Sequence, residues 1–354
     1  MREGACVNMC EARNPPRRDC CSALVADCGR MSHRKLLIGL AIQSAVRGVH
    51  FSCPTCSQDL IPVAGGNSKH LKCNRGHVTD VAKEGHVFLM PKSKRKSDPE
   101  VQAAQDAMVR AGRAFYESDG FSTQIDAVAG EVIRAVGLVP PDGVDDGHHV
   151  LNVGCGEGVY LRRLEGLLRA QGAGTPLIEL WGTDPSKLAA RYAAKRQPNA
   201  SVAVALPHRL PFADGVFSVV FATFANCPWE EVCRVLKPGG AVIVARAGRR
   251  HLDELRHLAH TRGSGDASLA RAARAPSEPK QFSSGLAEHY IRSTTEESYQ
   301  PEVMRSLLAM TPYTRHLLEL EHGVQHSDLE GMTTTVDFIC STHRVWLGTG
   351  GEPE

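Results

Sequence analysis

Val150-Leu151-Asn152-Val153-Gly154-Cys155-Gly156-Glu157-Gly158 carries an apolar strand straight into three glycines at alternate positions. After a buried parallel strand the chain must turn sharply into a helix, here starting near Val159-Tyr160-Leu161. Glycine permits both that turn and backbone contact with a ligand, because a side chain there would fill the ligand's space. A dinucleotide fingerprint would read Gly-x-Gly-x-x-Gly and needs glycine at position 159, where this chain has Val159. The spacing therefore speaks against a nicotinamide dinucleotide.

The elements downstream of the glycines, and their distances from them, decide the fold. Leu177 to Gly182 is a second apolar strand ending in Thr183-Asp184, and an acid at a strand end can accept hydrogen bonds from both hydroxyls of a ribose. Val202 to Ala205 reads as a third strand and Phe217 to Ala222 as a fourth. Glu231 to Leu236 is helical, Lys237-Pro238-Gly239-Gly240 stops it, and Ala241 to Ala245 makes a fifth strand. This order resembles the class I methyltransferases, a Rossmann-like α/β fold with a doubly wound sheet. The resemblance implies S-adenosyl-L-methionine (SAM) as cofactor, with Gly154, Gly156 and Gly158 forming its turn, Glu157 beside the methionine moiety, Asp184 on the ribose, and the segment Leu206-Pro207-His208 bordering adenine. The plainer alternative, a doubly wound domain whose glycines only make turns, explains the motifs singly but not their order.

A chain of 354 residues has room for two or three domains. Its 41 basic and 39 acidic residues leave a formal charge of +2, so any nucleic-acid partner must be sought in local clusters. No apolar run is long enough to span a bilayer, and no membrane partner is expected. Twelve cysteines are many, but they are unevenly placed in a chain large for a disulfide scaffold.

Residues 1–50 read as an extension, disordered or targeting. Met31 to Val49 is free of acids and carries Arg34, Lys35 and Arg47 among aliphatic residues, the composition of an organelle transit peptide; an amphipathic helix packed on the body is the competing reading. The compartment is then cytoplasmic, or mitochondrial or plastid if that segment is a transit peptide. Cys6, Cys10, Cys20, Cys21 and Cys28 show no metal-ligand spacing. Residues 51–90 do: Cys53-Pro54-Thr55-Cys56 and Cys73-Asn74-Arg75-Gly76-His77 are two knuckles able to place three thiolates and an imidazole tetrahedrally around zinc. Four protein ligands leave no open position, so such a zinc is structural. Free thiols or a disulfide are the simpler alternatives, and His70 or His86 could replace His77. Zinc would supply folding energy that so small a module lacks.

Residues 91–138 combine a linker, Lys92-Ser93-Lys94-Arg95-Lys96, with helices carrying Arg110, Arg113, Phe115 and Tyr116; 139–354 form the SAM-dependent domain, with a Ser-, Ala-, Gly- and Arg-rich insertion at 263–285. A charge run is ordinarily a solvated linker, though this one could touch phosphate. The zinc knuckles, then Ala82-Lys83-Glu84-Gly85, Ser97-Asp98-Pro99, Arg113-Ala114-Phe115 and the glycine turn resemble the RlmA-type 23S rRNA (guanine-N1-)-methyltransferases. Arg250-His251-Leu252-Asp253-Glu254-Leu255 and Leu308 to Tyr313 sit where that family has similar phrases, and the match runs from about Phe51 to Leu347. The resemblance implies methylation of guanine N1 in a large-subunit rRNA hairpin, RNA gripped by the zinc module, and a homodimer. The family's aromatic-Ala-Pro-Cys phrase after the fourth strand is here Phe224-Ala225-Asn226-Cys227-Pro228. Phe224 and Asn226 are the candidates for stacking on and hydrogen-bonding the base, with packing behind the pocket as the alternative for both. Cys155 and Cys227 read as packing residues, not nucleophiles. A small-molecule methyltransferase would leave the zinc module unexplained; a silent RNA-binding assembly factor would leave the intact glycines and Asp184 unexplained.

Overall fold

The computed structural model describes residues 49–63, 70–91, 98–139, 147–171, 177–197, 199–262, 289–312, 314–318 and 324–345. The extension before residue 49, with its transit-peptide segment, the cationic run 92–97 and the insertion 263–285 lie outside the described residues.

The chain begins with a small antiparallel sheet of four strands in order β1-β2-β3-β4: β1 (Phe51–Ser52), β2 (Asp59–Pro62), β3 (His70–Lys72) and β4 (Val78–Asp80). Next come β5 (Val87–Phe88), α1 (Pro99–Glu117) and α2 (Ser122–Leu138). Helix α1 starts where the sequence dictates: the Asp98 carboxylate accepts from Glu100 N at 2.9 Å, and Pro99 occupies a first-turn position that has no hydrogen bond to lose.

The large sheet uses β6 (His148–Val153), β7 (Ile178–Asp184), β8 (Ala200–Val204), β9 (Phe217–Thr223), β10 (Leu236–Ala247), β11 (His289–Ser298) and β12 (Thr333–Arg344). Its order is β11-β12-β10-β9-β6-β7-β8-β5. Strands β6 to β10 are parallel neighbours and β12 runs antiparallel to both β10 and β11. The order turns back at β6, so the end of β6 is the topological switch point at which open α/β sheets bind ligands. This is the class I methyltransferase sheet expected from the sequence. The connecting helices are α3 (Val159–Ala170), α4 (Lys187–Arg196), α5 (Trp229–Val235), α6 (Asp253–Arg262) and α7 (Pro301–Met310). Strands β6, β8 and β9 are buried along their whole length, which explains their mainly apolar composition, with His148, His149, Asn152, Ser201 and Ser218 as buried polar exceptions.

Two details differ from the sequence reading. Lys237-Pro238-Gly239-Gly240 lies within β10, where the register against β9 shifts between Leu236 and Ala241, instead of forming a corner before the strand. And the module expected at 51–90 gives its last strand away: Val87 and Phe88 pair in parallel with Ala203 and Val204 at the edge of the large sheet. Ser52 N donates to Pro211 O at 2.8 Å and Leu89 N to Val204 O at 2.9 Å. Phe51, Leu60 and Leu71 share one apolar core with Leu151, Trp181, Phe212 and Phe217 from the large sheet and its loops.

Candidate functional site

The metal-ligating pattern becomes a cluster. Ligand atoms of Cys53, Cys56, Cys73 and His77 all lie within 4.8 Å of one another. The first knuckle is closed by Ser57 N to Cys53 O at 2.8 Å, the second by Gly76 N to Cys73 O at 2.9 Å, with Gly76 at φ +85°. Cys56 Sγ stands 3.6 Å from Cys73 Sγ, and His77 Nδ1 stands 3.7 Å from Cys53 Sγ and 3.4 Å from Cys73 Sγ. Zinc–sulfur bonds of ~2.3 Å in a tetrahedron put ligand atoms ~3.8 Å apart, so these separations are edges of a coordination shell and the donor set fits zinc. The alternatives to His77 are engaged elsewhere: His70 Nδ1 contacts Asp80 Oδ1 at 2.5 Å, and His86 is buried outside the cluster.

At the switch point, Gly154, Gly156 and Gly158 all take positive φ, +68°, +54° and +88°. Their reasons differ. A Cβ on Gly154 would sit 2.5 Å from Ala225 Cβ, and one on Gly158 would sit 2.9 Å from Ala193 Cα, so both are fixed by packing within the protein. A Cβ on Gly156 would meet nothing within 4 Å, and Gly156 lines a cavity of about 460 Å³. The space reserved for a ligand thus opens at the middle glycine.

The cavity brings together Gly154, Gly156, Glu157, Asp184, Phe224 and Asn226 from the sequence-derived set. Gly158 stands behind it, against α4. On the third-strand side its wall is Ala205 and Pro207, with Leu206 half-buried and His208 exposed beside them. Asp184 ties the turn together: Oδ2 accepts from Gly156 N at 2.9 Å and Oδ1 from Ser186 N at 2.8 Å. Burial raises its pKa above the ordinary carboxylate value. Glu157 is buried and ion-paired with Arg196, which also reaches Glu117 Oε1 at 3.5 Å. Burial pushes the Glu157 carboxyl up to about 7, against the pull of Arg196. Neither Glu157 Oε1 nor the buried Thr183 Oγ1, both in cavity-lining residues, has a hydrogen-bond partner among the described residues. A cradle over an open glycine, a strand-end carboxylate and unpartnered polar atoms fit a nucleoside with a charged, polar tail.

The remaining wall adds Met108 and Val109, which no sequence motif marks, to Gly112, Tyr116 and Met310, which lie in phrases shared with the family but carried no assigned role. Met108, Val109, Gly112 and Tyr116 of α1 and Met310 of α7 cover the cavity with mainly apolar surface. The apolar spacing along α1 was a readable signal, but it says nothing of what the helix covers. Cys155 and Cys227 have thiols pushed up by burial, Cys227 to about 11, in keeping with packing and not nucleophilic roles.

A family model described as a methyltransferase domain matches residues 151–244, and one described as RlmA, N-terminal, a zinc ribbon, matches residues 51–98. The chain is 33% identical over 208 residues to a Streptomyces fradiae protein named 23S rRNA (guanine(748)-N(1))-methyltransferase, covering 58% of this chain and 66% of that one. It is also 33% identical over 213 residues to a Micromonospora griseorubida protein named "Putative 23S rRNA (guanine-N(1)-)-methyltransferase", covering 58% and 68%. The alignments thus span about two thirds of the relatives' own length. Among solved structures, the YcgJ protein of Bacillus subtilis aligns at 18% identity with a TM-score of 0.37, over 62% of this chain and 98% of that one. With a ribbon model and a methyltransferase-domain model matched in succession, and a relative 33% identical over 68% of its own length, the chain belongs to the family of RlmA-type 23S rRNA guanine-N1 methyltransferases.

Proposed function

We propose that this protein transfers a methyl group from SAM to N1 of a guanine in large-subunit rRNA. The observation that carries the reading is the union, in one body, of a zinc ribbon with a methyltransferase cleft whose open side carries Phe224 and Asn226. The cofactor supplies an electrophilic methyl group; the chain's task is to hold two reactants in line and keep water away. Gly154, Gly156 and Gly158 shape the cradle, Asp184 and Glu157 offer carboxylate oxygens to ribose and to the positive end, and Ala205 to His208 border the adenine. Met108, Val109 and Met310 shield the reacting centre.

Guanine N1 carries a proton at neutral pH and sits on the pairing edge, so the base must leave its stack before it can react. Phe224, 41% exposed at the cavity rim, offers a ring for the extruded base. Asn226 can donate its amide N–H to guanine O6, where negative charge gathers as the N1 proton leaves. The ribbon and the cationic run after it grip RNA by phosphate and shape, leaving identity to the pocket. A homodimer belongs to the same proposal, and light scattering of the purified protein tests it.

The central test is transfer of labelled methyl from SAM to large-subunit rRNA prepared from cells lacking the protein, followed by nucleoside analysis. Recovery of 1-methylguanosine, lost with Asp184→Ala, is expected. An N1 methyl blocks base pairing, so reverse transcription should stop at the modified residue; the guanine 748 of the Streptomyces fradiae protein's name is the first position to inspect. Cofactor binding without RNA labelling would sink the proposal.

A further inference from the structure

Phe224 follows β9 directly and holds φ +51°, a conformation that side chains other than glycine rarely adopt. Its backbone is pinned there by Phe224 N donating to Ala245 O at 2.9 Å. Its ring stacks on the imidazole of His251, with centroids 5.5 Å apart and planes 23° from parallel. Phe224 lines the cavity and the buried His251 does not, so the imidazole belongs to the packing around the ring and not to the cavity wall. Behind His251 the series continues: Phe121 lies 5.7 Å from it and Phe115 lies 4.8 Å from Phe121, both buried in the core beneath α7.

The loop that presents His251 is held from several sides. Asp337, fully buried in β12, accepts from Arg250 N at 3.0 Å, from Arg292 Nη2 at 3.1 Å and from Thr294 Oγ1 at 3.1 Å. Gly248 N donates to Asp337 O at 2.8 Å and Leu252 N to Thr335 O at 2.7 Å.

We infer that His251 is a positioning residue for RNA methylation: it backs the ring of Phe224, on a loop anchored by Asp337, so that the opposite ring face is fixed for the extruded base. Stacking on a single aromatic ring orders a base only if the ring itself cannot swing, and an exposed phenylalanine at a loop start has that freedom unless something flat lies behind it. Burial, then the neighbouring Arg256 guanidinium, pushes the His251 pKa down to about 4, so at neutral pH the imidazole is an uncharged aromatic surface with no pull on phosphate.

The inference rests on the reading of Phe224 as the stacking residue, and the experiment separates the two. KM for large-subunit rRNA, kcat and cofactor Kd are measured for Phe224→Ala, His251→Ala, the double variant, His251→Phe and His251→Leu. Phe224→Ala should raise KM for rRNA about ten- to hundredfold, the cost of losing one base–aromatic stack. His251→Ala and His251→Leu should raise it about three- to tenfold with cofactor Kd unchanged, and His251→Phe should restore it, on the same partial loss of stacking. The double variant should be no worse than Phe224→Ala alone, since one residue acts through the other. If Phe224→Ala leaves KM unchanged, the stacking reading fails and takes the inference with it. If Phe224→Ala is impaired but His251→Ala adds its full effect on top, or His251→Leu matches the wild type, stacking stands and the positioning role of His251 is refuted. Leu fills the imidazole's volume, so this arm survives a failure of the alanine variant to fold.

Discussion

Phe51, in the first strand of the ribbon, stands edge-on against Trp181 of β7, ring centroids 5.1 Å apart and planes at 82°. Phe212 packs on both rings at 5.5 Å. The zinc ribbon is therefore built into one face of the catalytic sheet, and its state should be felt there. Removing the metal with a chelator is expected to lower the melting temperature of the whole protein and to shift the fluorescence of Trp181 as its packing loosens. An unchanged melting curve with the cysteines demonstrably demetallated would refute the coupling.

Asp184 joins the glycine turn to the start of α4 through its two carboxylate oxygens. Asp184→Ala removes both acceptors and the contact proposed for the ribose. Hydrogen bonds to a charged group are each worth about 1.5–3 kcal/mol, so cofactor affinity should fall by at least about tenfold. Isothermal calorimetry measures it; binding at wild-type strength would exclude Asp184 from the cofactor site.

Glu157 gives a pH dependence of defined sign. Its folded pKa, raised by burial to about 7, lies above the ordinary 4.5, so the folded protein holds a proton that the unfolded chain releases. This group's contribution to stability therefore declines as pH rises from about 4.5 to 7. A ligand carrying positive charge beside Glu157 reverses the preference and expels the proton. Cofactor affinity should rise toward pH 8, by up to about tenfold per pH unit below 7, and Glu157→Gln should flatten the profile. Calorimetry in buffers of different ionisation enthalpy counts the proton released; a count of zero at pH 6 would contradict the assignment.

Gly248 has no room for a side chain, because a Cβ there would lie 2.3 Å from the Asp337 carboxylate. Gly248→Ala must displace either the loop or that buried acid, and should cost about 1–3 kcal/mol of stability, the usual range for overpacking. Denaturant unfolding reads the loss. A neutral result would mean the loop yields more easily than its hydrogen bonds suggest.

Much of the fold could be read from residue order. Val150 to Val153 and Phe217 to Ala222 are mostly apolar, broken only by Asn152 and Ser218, because their strands are covered on both faces, and the glycines and Asp184 mark the switch point by chemistry alone. The two knuckles carried their own geometry, since ligand spacing within a turn is local. What escaped is non-local or masked by polarity. Strand β5 is two residues long and joins the large sheet only through its distant partner Ala203–Val204. Strand β12 has a β-branched start, Thr333 to Val336, but Asp337 sits in its middle, a residue that argues against a buried strand until Arg292 and Thr294 are seen to satisfy it. The pairing of His251 with Phe224 depends on two loops meeting, and no spacing announces it.

The parallel pairing of Val87 with Ala203 also orders events in time. The ribbon leaves the ribosome early, yet its last strand has nowhere to dock until β8 has been synthesised and threaded beside β7. Until then the apolar side of the ribbon, Phe51 and Leu60 included, waits without its partners Trp181 and Phe212. Metal capture can proceed on the nascent chain, whereas seating of the ribbon must wait for β8, and in that interval an apolar surface without its partner is open to mispairing.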